Sequence, residues 1–349
     1  MYKIWIKSVL IISFSILFLF ITINYISDPY QHYRKTTIYP TFYGGDQRYL
    51  NPGIAKNYDY NSVILGTSMT EQFYIPDVNK ILNLDFLKFS MSGSTLYEQN
   101  YILQTILRNK KLKSVIWGVD LFSMAGNIES YRNGKENFPF YLYDDNILND
   151  YKYLLNIDTF SEFIKILKKY YITKERFYFM IDNIFISHNI ASKENALNAF
   201  YENKLNKNFK KEDYTFEKLK DNFEYNIIPI IENNKDIKFH IYLPPYSILA
   251  WSQISENNWL SAAYLIKKYM YIRFKDFDNV YFYNFQENMN FITNLDNYID
   301  TTHYGSSFNY VILKHIKNKE TSLYSLNSQN LMEENIVISN KLYKKGVIK

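Results

Sequence analysis

Two short segments far apart in the chain hold residue types that could act together in nucleophilic catalysis. Ser68 ends the tripeptide Gly66-Thr67-Ser68, directly after an apolar run, and the segment Asp300-Thr301-Thr302-His303 lies near the other end of the chain. A histidine can take the proton from a serine hydroxyl and return it to a leaving group. A carboxylate on its other ring nitrogen fixes the tautomer and stabilises the imidazolium. The two segments supply these three groups, provided that the fold brings them together.

Each segment also has an explanation without chemistry. Serine and threonine often cap helix N-termini, so Ser68 could be only an N-cap. Asp300 could cap the last helix and leave His303 on the surface. The joint pattern is stronger than either segment alone, because it requires both ends of the sheet to meet at the same crevice.

The elements that would position these segments alternate between strand and helix. Short apolar runs predict strands at 61–65, 86–90, 113–117, 238–243 and 280–285, and helical spacing predicts helices at 97–108, 259–274 and 305–316. Short apolar strands separated by helical stretches are typical of an α/β fold with a parallel sheet. Open sheets of this kind bind ligands at the carboxyl ends of their strands, which is where Ser68 falls.

Glycine placement supports the same crevice. The chain has 10 glycines in 349 residues, which is about 3% against a usual ~7%. Four of the ten lie at predicted strand ends or beside the last motif: Gly66, Gly93, Gly118 and Gly305. In a chain so poor in glycine, these positions are expected to mark requirements of the backbone.

At these segments the chain resembles the SGNH (GDSL-like) hydrolase superfamily. Gly66-Thr67-Ser68 looks like its first block, with Thr67 where Asp is usual, and the segment from Asp300 to His303 matches its last block. The resemblance implies that Ser68 is the nucleophile, His303 the base and Asp300 the carboxylate that orients it. It also implies a three-layer sandwich around a mostly parallel, flavodoxin-like sheet.

Three further site residues follow from this resemblance or from their places beside strand ends. Gly93 is similar to the second-block glycine, which donates to the oxyanion hole. Asp120 occupies the position where the third block normally has Asn, and a carboxylate donates to an oxyanion only when protonated; the alternative is that Asp120 merely caps a strand end. Tyr246 follows the fourth predicted strand and either walls the crevice or belongs to an ordinary loop.

The N-terminal segment predicts a membrane anchor. No charged residue occurs from Ser8 to Ser27, and about 20 apolar residues cross a bilayer core as a helix. A cleaved signal peptide would need a shorter apolar run and a small-x-small cleavage site, which residues 24–29 do not offer. Basic residues flank the span almost equally, so the expected orientation, with the main domain outside the cytoplasm, has little support from charge.

The remaining chain is expected to hold one large domain. We divide it into an anchor (1–30), an SGNH-like α/β domain (31–316) with a helical insertion at about 123–237, and a polar tail (317–349) that is peripheral or mobile. The insertion could form a lid over the site or be an elaboration without a role in chemistry.

Composition excludes several classes of function. The absence of Cys excludes disulfides, thiolate metal sites and a cysteine nucleophile. The five His are scattered, and there is no glycine-rich nucleotide motif, so neither a metal nor a cofactor is expected. A net charge of +5 is too small to suggest nucleic acid as a partner.

The anchor and the resemblance together imply a function in the cell envelope. Membrane-anchored SGNH-like proteins, including the DltD-like and alginate O-acetylation branches, acylate or deacylate polysaccharides. We therefore expect an esterase or O-acyltransferase with a glycan or acyl-carrying substrate, membrane lipid around the anchor and, by the same resemblance, a polytopic membrane acyltransferase as a partner. The alternatives are an inactive SGNH-like protein that binds glycan or supports envelope assembly, and a structural protein with accidental motifs.

Overall fold

The computed structural model of the protein describes residues 2–39, 41, 46–173, 190–202, 211–322 and 326–343. The chain falls into two compact units. The anchor unit comprises Met1–Asp59, Gln104–Lys110 and Asn137–Ile181. The sheet unit comprises Tyr60–Leu103, Lys111–Glu136 and Asp182–Lys349.

Helices and strands follow one another along the chain as an α/β protein requires. The strands are β1 (Ser62–Gly66), β2 (Phe86–Ser90), β3 (Ser114–Gly118), β4 (Lys238–Leu243) and β5 (Val280–Asn284). The α-helices are α1 (Tyr2–Ser27), α2 (Gln47–Asn57), α3 (Ile75–Leu82), α4 (Leu96–Asn109), α5 (Phe140–Tyr143), α6 (Tyr151–Leu154), α7 (Ile157–Leu167), α8 (Lys193–Glu202), α9 (Phe216–Asn226), α10 (Ile228–Asn233), α11 (Ile248–Glu256), α12 (Leu260–Phe274), α13 (Met289–Ile292), α14 (Phe308–Asn318) and α15 (Leu326–Tyr343).

The five strands form one sheet in the order β2-β1-β3-β4-β5, and every neighbouring pair is parallel. All residues of β1, β2 and β3 are buried, so these strands form continuous buried runs without a solvent-facing side. The chain leaves β1 toward one edge to form β2 and then returns past β1 to form β3. The strand order therefore reverses at β1 and β3, and this is the place where open α/β sheets leave a crevice beyond their carboxyl ends.

The predicted α/β class and its five strands are confirmed, each strand to within one residue at either end. Periodicity placed α4 and α12 to within one residue, and α14 to within three. The region expected to be a helical insertion contains α5 to α10 in its described parts. Residues 174–189 and 203–210 of that region lie outside the described residues, and a role as a lid stays a prediction.

The N-terminal helix α1 is long and apolar enough to cross a membrane, with a mean hydropathy of 2.4 in its most apolar window. Most of its side chains are exposed, and only Asn24 and Ser27, near its end, are buried. This exposure distinguishes α1 from a helix of the protein core. The orientation of the chain across a membrane stays a prediction.

The C-terminal region, expected to be a polar tail that is peripheral or mobile, contains a helix. Within its described residues it forms α15, which packs against α11. Met332 and Ile336 of α15 are buried, and Asn340 accepts a hydrogen bond from Ser252 of α11. Sequence reasoning missed this helix because the segment as a whole is polar and only a few of its apolar residues are buried.

Candidate active site

Ser68 lies just beyond the carboxyl end of β1. The strand ends at Gly66, and residues Ser68–Thr70 form a turn of 3-10 helix. Thr67 is the N-cap of this turn, since its Oγ1 accepts a hydrogen bond from the Met69 N–H at 3.4 Å. The capping role that the sequence suggested for Ser68 therefore belongs to Thr67, and the Ser68 hydroxyl is available to another partner.

Two glycines allow close packing beneath this turn. A Cβ atom on Gly66 would lie 2.6 Å from Thr70 Cγ2 and 2.7 Å from the Gly118 carbonyl oxygen, and Gly66 has φ of +151°. A Cβ on Gly118 would lie 2.6 Å from the same methyl group and 2.9 Å from Tyr242 Oη. Glycine at both strand ends thus lets the turn that carries Ser68 settle onto the sheet.

Asp300 and His303 lie in a tight loop that a β-bridge between Tyr298 and Tyr304 closes. Asp300 Oδ1 accepts hydrogen bonds from the backbone N–H groups of Thr302 and His303, both at 2.8 Å. Asp300 therefore caps its own turn, and the alternative that it caps the last helix is wrong.

This loop brings His303 to Ser68 across 235 positions of sequence. Ser68 Oγ lies 2.8 Å from His303 Nε2, and His303 Nδ1 lies 2.6 Å from Asp300 Oδ2. With a proton on Nδ1 directed at the carboxylate, Nε2 can accept the proton of the serine hydroxyl. The three groups thus stand in the geometry that a serine nucleophile requires.

The electrostatics of the pair favour a charged histidine during reaction. Partial burial lowers the pKa of His303, but the hydrogen bond and negative charge of Asp300 outweigh it, so that its pKa is raised above the ordinary value. For the acidic Asp300, burial has the opposite sign and raises the pKa. The hydrogen bonds from the His303 ring and from two backbone N–H groups outweigh it and lower the pKa to about 2. Asp300 is therefore ionised at neutral pH and can stabilise an imidazolium at His303.

Three hydrogen bonds made within the protein hold the histidine loop in place. Tyr304 Oη donates to the Met69 carbonyl oxygen at 2.9 Å, which joins the loop to the turn of Ser68. Ser247 Oγ donates to the Thr301 carbonyl oxygen at 2.5 Å, and Tyr298 Oη donates to the Pro245 carbonyl oxygen at 3.1 Å. The loop is thus fixed both to the end of β1 and to the segment after β4.

Asp120 lies in the same crevice, two residues beyond the end of β3, and is buried. Its Oδ2 accepts a hydrogen bond from Thr67 Oγ1 at 2.5 Å, and its Oδ1 accepts one from the Ser123 N–H at 3.1 Å. Burial raises the pKa of Asp120, although hydrogen bonds from Thr67, Ser123 and Tyr246 oppose that rise. Asp120 is therefore part of the site and not only a strand-end cap.

Tyr246 and Gly93 both line the cleft that contains Ser68 and His303, which has a volume of about 200 Å³. Tyr246 is fully buried, and its Oη accepts a hydrogen bond from the Leu121 N–H at 3.0 Å. Gly93 has φ of +59° in the turn after β2. Among the described residues, the N–H groups of Ser68 and Gly93 have no acceptor in the protein, so both are available to a bound group.

Arg132 also lines this cleft, and sequence analysis missed it. A Cβ on Gly93 would lie 3.3 Å from Arg132 Nε, so the guanidinium lies over the glycine turn. One signal was available: the chain has 6 Arg among its 40 Lys and Arg residues. In a chain that mostly uses lysine, an arginine two residues before a glycine, as in Arg132-Asn133-Gly134, is a candidate for binding a ligand.

Gly305 was also expected to mark the crevice. Gly305 is not among the residues that line the cleft; its N–H donates to the Asn297 carbonyl oxygen at 2.7 Å and closes the histidine loop from behind. Within the described parts of the chain, no group of three or more His, Asp or Glu side chains is arranged to hold a metal ion.

Comparison with known proteins does not identify a family for this chain. No family model matches the chain, and no curated protein matches it either.

Proposed function

We propose that the sheet unit is a serine esterase or O-acyltransferase of the SGNH type. The observation that carries this proposal is the pair of hydrogen bonds from Ser68 Oγ to His303 Nε2, at 2.8 Å, and from His303 Nδ1 to Asp300, at 2.6 Å. Further hydrogen bonds hold the two segments in place: Tyr304 donates to the Met69 carbonyl oxygen, and Ser247 donates to the Thr301 carbonyl oxygen. A chance match of two short motifs would not require such contacts.

The reaction follows from the roles of these groups. Ser68 Oγ attacks the carbonyl carbon of an ester while its proton passes to His303 Nε2, and the imidazolium formed is stabilised by Asp300. His303 then gives that proton to the leaving alkoxide, so that an acyl-Ser68 ester remains. Water or a sugar hydroxyl attacks this ester, with His303 again taking and returning the proton, which gives hydrolysis or transfer.

Stabilisation of the oxyanion is assigned to backbone groups of the same cleft. The N–H groups of Ser68 and Gly93 have no acceptor among the described residues, and both residues line the cleft. Asp120 does not oppose this role strongly, because Thr67, Ser123 and Tyr246 already donate to its carboxylate. The two N–H groups supply the kind of preorganised donors that stabilise a tetrahedral intermediate.

The architecture is consistent with this family. The strand order β2-β1-β3-β4-β5 is that of flavodoxin-like sheets, and continuously buried parallel strands are usual where helices cover both faces in a three-layer sandwich. The candidate nucleophile follows β1, Gly93 follows β2 and Asp120 follows β3, in the block order of the SGNH superfamily.

The proposed substrate is an acylated polysaccharide of the cell envelope, or an acyl-carrying donor for it. The apolar helix α1 supports action at a membrane surface, and the open cleft supports a substrate that is only partly enclosed. If the reaction is acyl transfer and not hydrolysis, the proposed partner is a polytopic membrane acyltransferase that supplies the acyl group.

The test is ester cleavage by the full-length protein in detergent, with p-nitrophenyl acetate and acetylated polysaccharide as substrates. We expect Ser68→Ala and His303→Ala each to lower kcat by roughly 10³-fold or more, whereas Ser255→Ala, a serine outside the cleft, serves as the matched control. A fluorophosphonate probe should label Ser68, as seen by mass spectrometry. Equal activity in all variants would contradict the proposal.

A second candidate is an inactive SGNH-like protein that binds glycan. The observation that favours it is the buried Asp120 in place of an amide donor. In that case glycan binding would persist in Ser68→Ala, no turnover would occur, and the fluorophosphonate probe would leave Ser68 unmodified.

A further inference from the structure

The anchor unit carries an apolar surface that does not belong to α1. Helix α7 and the turn after it expose Ile157, Ile164 and Ile172 at 71%, 47% and 72% of their accessible surface. Just before α6, Ile147 and Leu148 are exposed at 79% and 81%. So many large apolar side chains exposed within residues 147–172 are unusual for a surface that faces water.

Residues of the same segment contact the apolar helix α1. Asn24 of α1 donates its side-chain amide to the carbonyl oxygens of Leu154, at 2.9 Å, and Asn156, at 3.2 Å, directly before α7 begins. The rings of Phe20 and Phe160 lie 5.7 Å apart, so α7 itself contacts the apolar part of α1. The start of α7 is therefore fixed beside the last two turns of the helix expected to cross the bilayer.

The depth of that contact follows from helix geometry. Phe20 lies seven residues before Ser27, where α1 ends, which corresponds to about 10 Å along the axis at about 1.5 Å per residue. If the uncharged stretch up to Ser27 fills a hydrocarbon core of about 30 Å, Phe20 lies inside it. Phe160, whose ring centroid lies 5.7 Å from that of Phe20, then lies within about 6 Å of that depth, and so does the part of α7 around it.

We propose that α7, with the turn from Ile147 and α6, is a second membrane element, which lies in the outer part of the same bilayer leaflet as the end of α1. The exposed isoleucines enter the acyl-chain region. Lys165 of α7 and Lys168, directly after α7, are exposed, and their aliphatic stems let the ammonium groups reach the headgroups. This inference rests on α1 spanning a membrane and is independent of the proposed catalysis.

The absence of Cys makes a direct test simple, because single cysteines can be introduced and labelled in the full chain. Ile157→Cys and Ile164→Cys are labelled with an environment-sensitive fluorophore in vesicles of phosphatidylcholine and phosphatidylglycerol. Phe18→Cys, exposed on α1, is the lipid reference, and Leu265→Cys of the sheet unit is the matched control, since Leu265 is 46% exposed and Ile164 is 47% exposed.

We expect the labels at 157 and 164 to show a blue-shifted emission, to be quenched by spin-labelled lipid as the label at 18 is, and to be protected from aqueous iodide. The label at 265 should be quenched by iodide. Quenching of the α7 labels by iodide and not by lipid would overturn the proposal, because the surface would then face water. Protection from both quenchers would overturn it as well, because another protein surface would then cover α7.

Discussion

Thr67 Oγ1 donates a hydrogen bond of 2.5 Å to Asp120 Oδ2. In the SGNH superfamily, which the chain resembles at these segments, the first position usually has Asp and the second Asn. Relative to the residues usual in that superfamily, the donor and the carboxylate here stand in the opposite places. The contact joins one donor and one acceptor, so we expect a change at either position to be offset by the matching change at the other.

This exchange predicts a reciprocal effect of mutations. Thr67→Asp alone places two carboxylates in contact in a buried place and should lower the free energy of unfolding by about 2–4 kcal/mol. Thr67→Asp combined with Asp120→Asn should recover most of that stability and retain esterase activity. Chemical denaturation of the two single variants and the double variant measures the coupling. Strictly additive effects would show that the two residues do not act as a pair.

The second prediction concerns the dependence of activity on pH. His303 must be neutral to accept the proton of Ser68, and its pKa is raised, chiefly by Asp300 against the opposing effect of burial. Activity should therefore fall as the pH drops through a value above the ordinary histidine pKa of ~6.5. In Asp300→Asn this acid limb should move to lower pH, and kcat should drop by roughly 10⁴-fold, as in other Ser-His-Asp sites. A pH profile of kcat/KM that is unchanged in Asp300→Asn would contradict the assigned role.

Arg132 is predicted to favour substrates with a negative charge near the reacting ester. Its guanidinium lies over Gly93, beside the proposed oxyanion donors, and an arginine recognises carboxylates well. The residue is exposed, so Arg132→Ala should cost about 0.5–1 kcal/mol, or a roughly two- to fivefold higher KM, for a succinyl ester. The KM for neutral p-nitrophenyl acetate serves as the control and should stay the same. An equal rise for both esters would indicate that Arg132 only shapes the cleft.

The two strand-end glycines should respond differently to a compensating change. Gly118→Ala brings a methyl group against Thr70 Cγ2 and Tyr242 Oη, both of which are side-chain atoms. Adding Thr70→Ser and Tyr242→Phe removes these atoms and should restore much of the lost melting temperature. Gly66→Ala should remain destabilised by about 1–3 kcal/mol even with Thr70→Ser, because its φ is +151° and its second contact is backbone. Thermal unfolding compares the variants, and rescue of Gly66→Ala would show that side-chain contact alone mattered there.

Local patterns were enough to predict the five strands and the helices α4, α12 and α14. Burial of a strand in a parallel sheet demands a continuous apolar run, which is visible in the sequence. The polar segment of α15 lacked such a signal. Its helix is stabilised by burial of Met332 and Ile336 against the rest of the sheet unit, and a sparse apolar face of this kind gives only weak periodicity.

The sequence by itself determined the candidates: an uncharged span long enough for a membrane, and glycines where strands end. It also supplied the residues able to do chemistry, a serine after the first strand and a D-x-x-H segment before the last helix. Only the tertiary structure decided which of them meet. It brought His303 to Ser68, gave the capping role to Thr67, paired Thr67 with Asp120 and placed Arg132 over Gly93. The physical reason is that these contacts depend on where loops of different strands converge, and such long-range geometry leaves no periodic trace in the residues that make it.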